Sequence, residues 1–263
     1  MSAPIPFERT LDRVGSRTLA LFDRMGDFAL LAVRTARAMF ARRFPMHDVL
    51  QQFETIAVRS LSIVAITALF TGMVLALQTV VSLARFGAKP YTGSFVGLAI
   101  ILELGPVLTA LMVSGRVGAG ITAEIGSMAV TEQVDAIRAM GADPIQKLVL
   151  PRVLACTLGV PLLTVVADIL GVFGGMLISA QNGISPDFYL STVTAAVTLG
   201  DFVQGIAKSF AFGWIIAAVG CYMGLNTRGG TVGVGRATTR AVVVASISVF
   251  VSDFFLTKLF LML

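Results

Sequence analysis

Five long apolar stretches recur along the chain and constrain its fold more than any other feature of the sequence. They lie near residues 57–83, 93–122, 148–181, 204–226 and 237–262. A helix needs about 20 mostly apolar residues to cross the hydrocarbon core of a bilayer, so each stretch is long enough for one transmembrane helix. Charged residues make up only 13% of the 263 positions, about half the usual share for a soluble domain. The sequence therefore predicts an all-α membrane protein with five spans.

The segment before the first span follows a different pattern. Apolar residues recur there at three- and four-residue steps, and charged residues fall mostly on other faces; the apolar positions are Leu11, Val14, Thr18, Leu21, Met25, Phe28 and Ala32. This pattern predicts an amphipathic helix that lies in the membrane interface, and a helix packed on a partner protein is the alternative. We expect two parts, an N-terminal cytoplasmic or interfacial segment over 1–55 and a five-span domain over 56–263.

The distribution of basic residues predicts the orientation. Lysines and arginines fall on one side of the five spans, except for four on or near the other side, which are Arg85, Lys89, Lys208 and Lys258. Because positive residues concentrate in cytoplasmic loops, we expect a cytoplasmic N-terminus and an external C-terminus. The net charge of +5 does not favour nucleic acid as a partner, because the basic residues flank apolar runs instead of gathering on one face.

The loop between the second and third spans predicts two short helical units. Thr131 is placed to cap the first unit, and Gly141 is placed to end it. Asp143 is placed to cap the second unit, with Pro144 at its first position. The first unit has an apolar stripe of Val134, Ile137 and Met140, mostly opposite a charged face of Glu132, Asp135 and Arg138. Such a helix suits the docking of a cytoplasmic partner, and a helix resting on its own bundle is the alternative.

Ionisable residues inside a span are costly in hydrocarbon and are therefore candidates for function. Glu103 lies about ten residues into the second span. Pro106 follows and removes the amide that would bond the Leu102 carbonyl, so we expect the helix to kink beside a buried acid. A gate or polar lining is one interpretation of Glu103. A protonated glutamic acid that hydrogen-bonds to a neighbouring helix is the other.

The other charges inside the spans are Arg116, Asp168 and Asp253. Arg116 lies thirteen residues beyond Glu103, about 20 Å along the helix, so a partner of Glu103 must come from another helix or chain. We expect Arg116 to be an interfacial anchor, as we do Glu124. Asp168 and Asp253 are expected toward the outer side, where they pair or face water.

Residues that carry catalysis or bind metal are not indicated. His47 is the single histidine, and both Cys156 and Cys221 lie in apolar runs without metal-ligand spacing. The segment GDFVQGIAKS at 200–209 lacks the adjacent Gly-Lys-Ser/Thr of a phosphate-binding loop. We expect no catalytic residue and no cofactor on this chain. If ATP drives transport, ATP and Mg²⁺ belong to a separate subunit.

Four segments carry a resemblance to a known family. The longest is residues 103–155, ELGPVLTALMVSGRVGAGITAEIGSMAVTEQVDAIRAMGADPIQKLVLPRVLA. The others are FTGMVLALQ at 70–78, PLLTVVADILGVFGG at 161–175, and GRATTRAVV followed by DFFLT within 235–257. Together they closely resemble the MlaE/YrbE permease family, the membrane subunits of MCE-type ABC transporters. The resemblance covers nearly the whole chain after the N-terminal segment.

This resemblance implies a bacterial inner-membrane homodimer that moves phospholipids or other lipids between the inner membrane and the outer envelope. It implies two ABC ATPase subunits below, a hexamer of MCE-domain lipid-binding proteins above, and in some systems a STAS-domain protein. Glu103 matches the family's intramembrane glutamate, and we place Pro106 and Gln78 with it in the transport pathway. The coupling helix that contacts the ATPase is assigned to Thr131, Glu132, Gln133, Asp135, Arg138 and Met140. The alternatives are an ion-coupled secondary transporter and a membrane scaffold for lipid-binding proteins.

Overall fold

The computed structural model describes residues 22–23, 26–38 and 46–262, and the described residues form helices joined by short turns, without a strand. The prediction of an all-α protein is confirmed. Contacts divide the chain into two units, Met1–Phe44 and Pro45–Leu263. The boundary after residue 55 stays a prediction.

The first unit contains a helix, α1, over residues 26–38. Inside it the Thr35 hydroxyl donates a hydrogen bond to the Leu31 carbonyl at 2.8 Å. Five positions of the predicted amphipathic pattern lie outside the described residues, namely Leu11, Val14, Thr18, Leu21 and Met25. The interfacial location of this segment stays a prediction.

The second unit contains ten further α-helices in the described part of the chain. They are α2 (Met46–Ile56), α3 (Leu61–Ala84), α4 (Thr92–Ala99), α5 (Gly105–Val113), α6 (Ala119–Val130), α7 (Gln133–Ala139), α8 (Leu150–Gln181), α9 (Pro186–Ala196), α10 (Leu199–Leu225) and α11 (Gly230–Phe260). Single π-helical turns continue the helix at Ile100–Leu104, Ser114–Gly118 and Ile145–Val149.

These helices form five rods that are long and apolar enough to cross a membrane. The rods are Met46–Ala84, Lys89–Val130, Ile145–Gln181, Leu199–Leu225 and Gly230–Phe260. The five predicted spans are confirmed, but the fourth and fifth helices begin earlier than their apolar runs. Thr198 and Asp201 form a capping box that starts α10, and Gly229, with a φ of 90°, precedes α11. The first turns of these two helices are less apolar than the rest, so a prediction from apolar runs places the helix starts too late.

The helix α8 packs against α3 and against α10. Glycines permit backbone contact at both interfaces. A Cβ atom added at Gly72 of α3 would lie 1.9 Å from the Gly171 carbonyl oxygen, and one added at Gly213 of α10 would lie 2.5 Å from the Cys156 carbonyl oxygen. Cys156 and Cys221 are buried and free, as expected of small apolar side chains. The helix α8, in which more than half of the residues are buried, thus lies at the centre of the bundle.

The helix α9 is a short element that the apolar runs did not predict. Ser185 caps it by accepting a hydrogen bond from the Phe188 amide at 3.4 Å, and Pro186 is its first residue. Tyr189 anchors it: the side chain is fully buried among α4 and α8, next to Gly93 and Gly175. Burial raises the pKa of the Tyr189 hydroxyl. The Ser-Pro pair is the signal that marks this helix in the sequence.

Candidate functional site

A lysine lies at the centre of the polar cluster inside the bundle. Lys208 of α10 is fully buried, and its ammonium group donates hydrogen bonds to Glu103 Oε1 at 2.7 Å and to the Leu102 carbonyl at 3.0 Å. The same Nζ atom lies 3.2 Å from Asp253 Oδ1 of α11. Thr257 of α11 donates a hydrogen bond to Glu103 Oε1 at 3.2 Å. The cluster therefore joins the second, fourth and fifth spans.

The second span is shaped to receive this lysine. Pro106 has no N–H group, so the Leu102 carbonyl lacks the amide donor that an α-helix would supply. The helix passes through a π-helical turn at Ile100–Leu104, in which the Gly105 amide bonds the Ile100 carbonyl. Lys208 donates to the Leu102 carbonyl instead. The interruption predicted at Pro106 thus takes the form of a π-helical turn whose free carbonyl binds a cation.

A close approach of two helices brings Lys208 to this turn. Gly205 is one helical turn before Lys208, and a Cβ atom added there would lie 2.3 Å from the Ile101 carbonyl oxygen. The same atom would lie 3.5 Å from the Pro106 ring. Only glycine allows α10 to lie so near the π-helical turn. Gly205 is therefore a positioning residue for the cluster.

The two carboxylates of the cluster differ in their access to the surroundings. The side chain of Glu103 is 40% exposed and that of Asp253 is 18% exposed, whereas the side chain of Lys208 is fully buried. A buried cation is tolerated because paired charges and hydrogen bonds offset its desolvation. Glu103 is thus the member that can contact a ligand while Lys208 holds it in place. The prediction that its partner comes from another helix is confirmed.

Asp168 of α8 lies outside this cluster. The residue is 4% exposed, and its Oδ1 atom has no hydrogen-bond partner. A Cβ atom added at Gly105 would lie 1.8 Å from that oxygen. The expectation that Asp168 and Asp253 pair or face water is wrong for Asp168, because α8 turns its side chain against the backbone of the second span. It is correct for Asp253, which pairs with Lys208.

Gln78 lines an open groove of about 800 Å³ along α3. Polar side chains of Ser62, Thr67 and Thr71 share this groove with apolar ones, and Leu104 closes one wall. Leu104 follows Glu103 directly, but no hydrogen bond joins Glu103 to Gln78 in the described structure. Of the three predicted pathway residues, Glu103 and Pro106 meet at the cluster, whereas Gln78 lies on the groove.

A second charged cluster lies thirteen or more residues along the second span from Glu103. Arg116 donates a hydrogen bond to Ser60 Oγ at 2.6 Å. Glu124 pairs with Arg152 of α8 at 2.7 Å, and the Arg152 side chain is only 5% exposed. Ser114, Gly118 and Thr122 on the same rod are buried, as expected of a packing face. There Thr122 donates a hydrogen bond to the Gly220 carbonyl of α10 at 3.1 Å.

The loop after α6 contains the predicted short helix with a different start. The prediction that Thr131 caps α7 is wrong: its hydroxyl donates to the Ser127 carbonyl at 2.8 Å and ends α6. Glu132 takes the capping position with a left-handed φ of 60°, and α7 runs over Gln133–Ala139. A left-handed residue lets the chain turn sharply between two helices, which residue type alone does not indicate.

The rest of this loop follows the prediction more closely. Gly141 has a φ of 76° and ends the unit, and the Asp143 carboxylate accepts a hydrogen bond from the Ile145 amide at 2.9 Å. On α7, Val134 is buried and Asp135 pairs with Arg138 at 2.8 Å on the exposed face. Met140 does not pack with the predicted apolar stripe, because it follows the end of α7 and is 77% exposed.

Comparison with known proteins shows which family the chain belongs to. The model of the family described as Permease MlaE matches residues 49–259. The chain belongs to the MlaE permease family. The chain is 32% identical over 95% of its length to the intermembrane phospholipid transport system permease protein MlaE of Haemophilus influenzae, and the match covers 96% of that protein.

Two further relatives of this MlaE family permease come from other lineages. A probable ABC transporter permease protein of Rickettsia felis is 40% identical over 94% of this chain and 96% of its own length. The chloroplastic protein TRIGALACTOSYLDIACYLGLYCEROL 1 of Arabidopsis thaliana is 39% identical over 81% of this chain and 61% of its own length. The chain is thus a multi-pass membrane protein of the permease class.

The sequence interpretation missed Lys208 in this MlaE family permease. It placed the lysine on or near the outer side, whereas the side chain is fully buried between three spans. The signal was present, because Lys208 falls inside the apolar run at 204–226 and an ionisable residue there needs a partner. Pairing it with Glu103 and Asp253 requires the three-dimensional arrangement of spans two, four and five.

Proposed function

We propose that this chain is the membrane subunit of an ABC transporter that moves phospholipids or related lipids between the inner membrane and the outer envelope. Family membership supports the permease role, and the names of the Haemophilus and Rickettsia relatives point to phospholipid and to ABC transport. The observation that carries the proposal is the Glu103–Lys208–Asp253 cluster, which lies inside a five-span bundle beside an open groove.

The cluster couples the movement of the spans. Lys208 bonds the second span twice and pairs with the fifth, so a displacement of any one of the three helices stretches a buried ionic contact. Glu103 is partly exposed and carries the polar surface that a lipid headgroup would meet. The apolar walls of the α3 groove suit acyl chains. A change in helix spacing would thus alter the headgroup contact and the groove together.

Energy for that movement comes from outside the chain in this proposal. The charged face of α7, with Asp135 and Arg138, serves as the coupling surface for an ATPase subunit that holds ATP and Mg²⁺. Glu132, Gln133 and Met140 are exposed at the same loop and extend this surface. The chain itself is non-catalytic and binds no cofactor. The N-terminus and α7 lie in the cytoplasm, and the C-terminus lies in the periplasm.

The proposed assembly is a homodimer that binds two ATPase subunits on its cytoplasmic side and further partners on its outer side. Those partners are an MCE-domain lipid-binding hexamer and, in some systems, a STAS-domain protein. A second copy is needed because five spans with no internal repeat form half of a pathway. In this dimer the open groove along α3 would face the second copy, so that the acyl chains lie between the two copies.

Co-purification followed by a lipid-transfer assay tests the proposal. The tagged chain should retain an ATPase subunit, and transfer of labelled phospholipid between vesicles should require hydrolysable nucleotide. A Glu103→Ala variant should transfer lipid at least tenfold more slowly, because the headgroup contact is lost. Asp187→Ala, an exposed acid on α9, is the matched control and should transfer at the wild-type rate.

The same assay separates the alternatives. Transfer that depends on an ion gradient and needs no nucleotide would support a secondary transporter. Retention of lipid-binding proteins without any transfer would support a scaffold. Wild-type transfer by a folded Glu103→Ala variant would remove the cluster from the mechanism.

A further inference from the structure

A small groove with apolar walls and a few polar side chains lies between α2 and the second span, away from the Glu103 cluster; Ile56, Val117 and Ile121 form the apolar part. Its volume is about 280 Å³, just below the range for small-ligand sites, roughly 300 to 1,000 Å³. Gln52 and Thr55 of α2 line one side, and Arg116, Gly120 and Glu124 line the other. A groove of this size accepts a headgroup, while the acyl chains of a lipid remain in the bilayer.

The charged groups at the groove are Arg116 and Glu124, together with the buried Arg152 behind Glu124, so their net charge is positive. Glu124 also lines it, but that carboxylate pairs with the buried Arg152 at 2.7 Å. Arg116 is exposed and has no carboxylate partner in the part of the chain that the structure describes. An uncompensated arginine at the edge of a membrane bundle favours an anionic ligand.

The Arg116 side chain is held in place for such a ligand. Its Nη1 atom donates to Ser60 Oγ at 2.6 Å, and Ser60 in turn donates to the Ile56 carbonyl at 2.5 Å. A guanidinium group has five N–H donors in a planar fork, so donors remain for a second acceptor. Arginine binds phosphate through two parallel hydrogen bonds, and this geometry matches a phosphate ester better than a single carbonyl.

The floor of the groove is open where a ligand would lie. A Cβ atom added at Gly120 would have no heavy atom within 4 Å. The same holds for Gly115, which is on the same rod but does not line the groove. A larger residue at Gly120 would therefore fill the groove, whereas the same residue at Gly115 would leave the groove empty.

We propose that this groove binds the phosphate of an acidic phospholipid headgroup, with Arg116 as the anion-binding residue. The site goes beyond the proposed function, because it is a resident lipid site separate from the Glu103 cluster. The lipid comes from the cytoplasmic leaflet. This choice of leaflet rests on the orientation given under the proposed function. Gln52 and Thr55 add polar groups for the remaining headgroup oxygens.

Native mass spectrometry of the full-length, delipidated protein tests the site. The protein is titrated with phosphatidylglycerol and with phosphatidylcholine of the same acyl chains. We expect tighter retention of phosphatidylglycerol, and a loss of about tenfold or more in Arg116→Gln, because a hydrogen-bonded charge pair is removed. Arg116→Lys should keep part of the affinity, since it keeps the charge without the fork.

Two further variants keep the test sharp if Arg116→Gln folds poorly. Gly120→Leu fills the groove without changing any charge and should lose the lipid, whereas Gly115→Leu should bind like the wild type. Arg85→Gln, at an exposed arginine outside the groove, is the charge control and should also bind normally. Wild-type retention by both Arg116→Gln and Gly120→Leu would overturn the site.

Competition with inorganic phosphate distinguishes a lipid headgroup from free phosphate as the ligand of Arg116. Retention of phosphatidylglycerol against millimolar phosphate supports a lipid headgroup. Displacement by phosphate would overturn the lipid assignment and leave an anion site for free phosphate. Since binding is measured without nucleotide, an ATPase or lipid transfer, failure of this site is distinguishable from failure of the proposed transport function.

Discussion

Lys208 replaces a backbone donor that the second span has lost. Its ammonium group binds the Leu102 carbonyl at 3.0 Å, which in an α-helix would accept from the amide of residue 106. Because residue 106 is proline, that carbonyl is free for a cation. The same ammonium neutralises Glu103 and Asp253, so one side chain satisfies one backbone group and two acids.

Removal of the Lys208 charge is therefore expected to destabilise the bundle. A Lys208→Met variant keeps the apolar stem but leaves the Asp253 carboxylate without its opposite charge and the Leu102 carbonyl without its donor. Loss of one partner of a buried pair costs about 3–5 kcal/mol, and we expect a fall at the lower end because Glu103 is partly exposed. Thermal unfolding in detergent measures it.

A paired substitution provides the control for Lys208. Lys208→Met combined with Asp253→Asn removes a cation and an anion together and should recover part of the lost stability. Unchanged unfolding in Lys208→Met would contradict a structural role for the ion pair.

The contact between Gly105 and Asp168 gives a second expectation for single residues. Gly105→Ala would place a methyl group 1.8 Å from the Asp168 oxygen, which is buried and cannot swing into solvent. Overpacking of this kind costs about 1–3 kcal/mol. We expect a lower unfolding temperature, with part of it recovered in Gly105→Ala/Asp168→Ala. Gly115→Ala, where nothing lies within 4 Å, should not destabilise.

Some helices of the fold are predictable from long apolar runs in the sequence, and others depend on short local motifs. Long apolar helices such as α3 and α8 are predictable, because hydropathy over some 20 residues reports membrane burial directly. The helix α9 depends on a local Ser-Pro cap and on Tyr189, and no long apolar run marks it. Thr131 was assigned to the wrong helix because a threonine hydroxyl can cap a following helix or bond back to the preceding one.

The candidate site shows the same division. The sequence placed Glu103 and Pro106 together, since they are on one helix and three residues apart. It could not place Lys208 beside them, because that contact depends on the approach of α10 at Gly205. Contacts between helices distant in the chain have no local sequence signal.

The turn before α7 allows a test of the coupling surface. Glu132 has a left-handed φ of 60°, a conformation that glycine adopts without cost. Glu132→Gly is therefore expected to leave stability unchanged or to raise it by up to about 1 kcal/mol. If the carboxylate docks on an ATPase subunit, the same variant should transfer lipid more slowly and stimulate ATP hydrolysis less.

Arg138→Ala is the companion variant on the same element. Its exposed pair with Asp135 contributes about 0–1 kcal/mol, so stability should change little. A fall in nucleotide-dependent transfer without a fall in unfolding temperature would support docking through α7. Normal coupling in both variants would assign this helix to the bundle alone.

At the scale of the whole molecule, an odd number of spans in the described residues places the start of the first one, Met46, and the end of the fifth, Phe260, on opposite sides of the membrane. Large apolar side chains are exposed along α3 and α11, among them Ile66, Phe70, Phe254 and Phe255. A soluble protein would not expose so many, whereas lipid or a second copy of the chain covers them at no cost. Which side of the bundle faces the cytoplasm is predicted separately, from the distribution of lysine and arginine.

Cysteine labelling tests the orientation, because the two native cysteines, Cys156 and Cys221, are buried and should not react. Gln133→Cys on α7 and Asp187→Cys on α9 each place one thiol at an exposed position. With a membrane-impermeant maleimide, we expect Asp187→Cys to react in intact spheroplasts and Gln133→Cys only after permeabilisation. The unsubstituted chain should remain unlabelled in both. Labelling of Gln133→Cys from outside would reverse the orientation and would place α7 beyond the reach of a cytoplasmic ATPase.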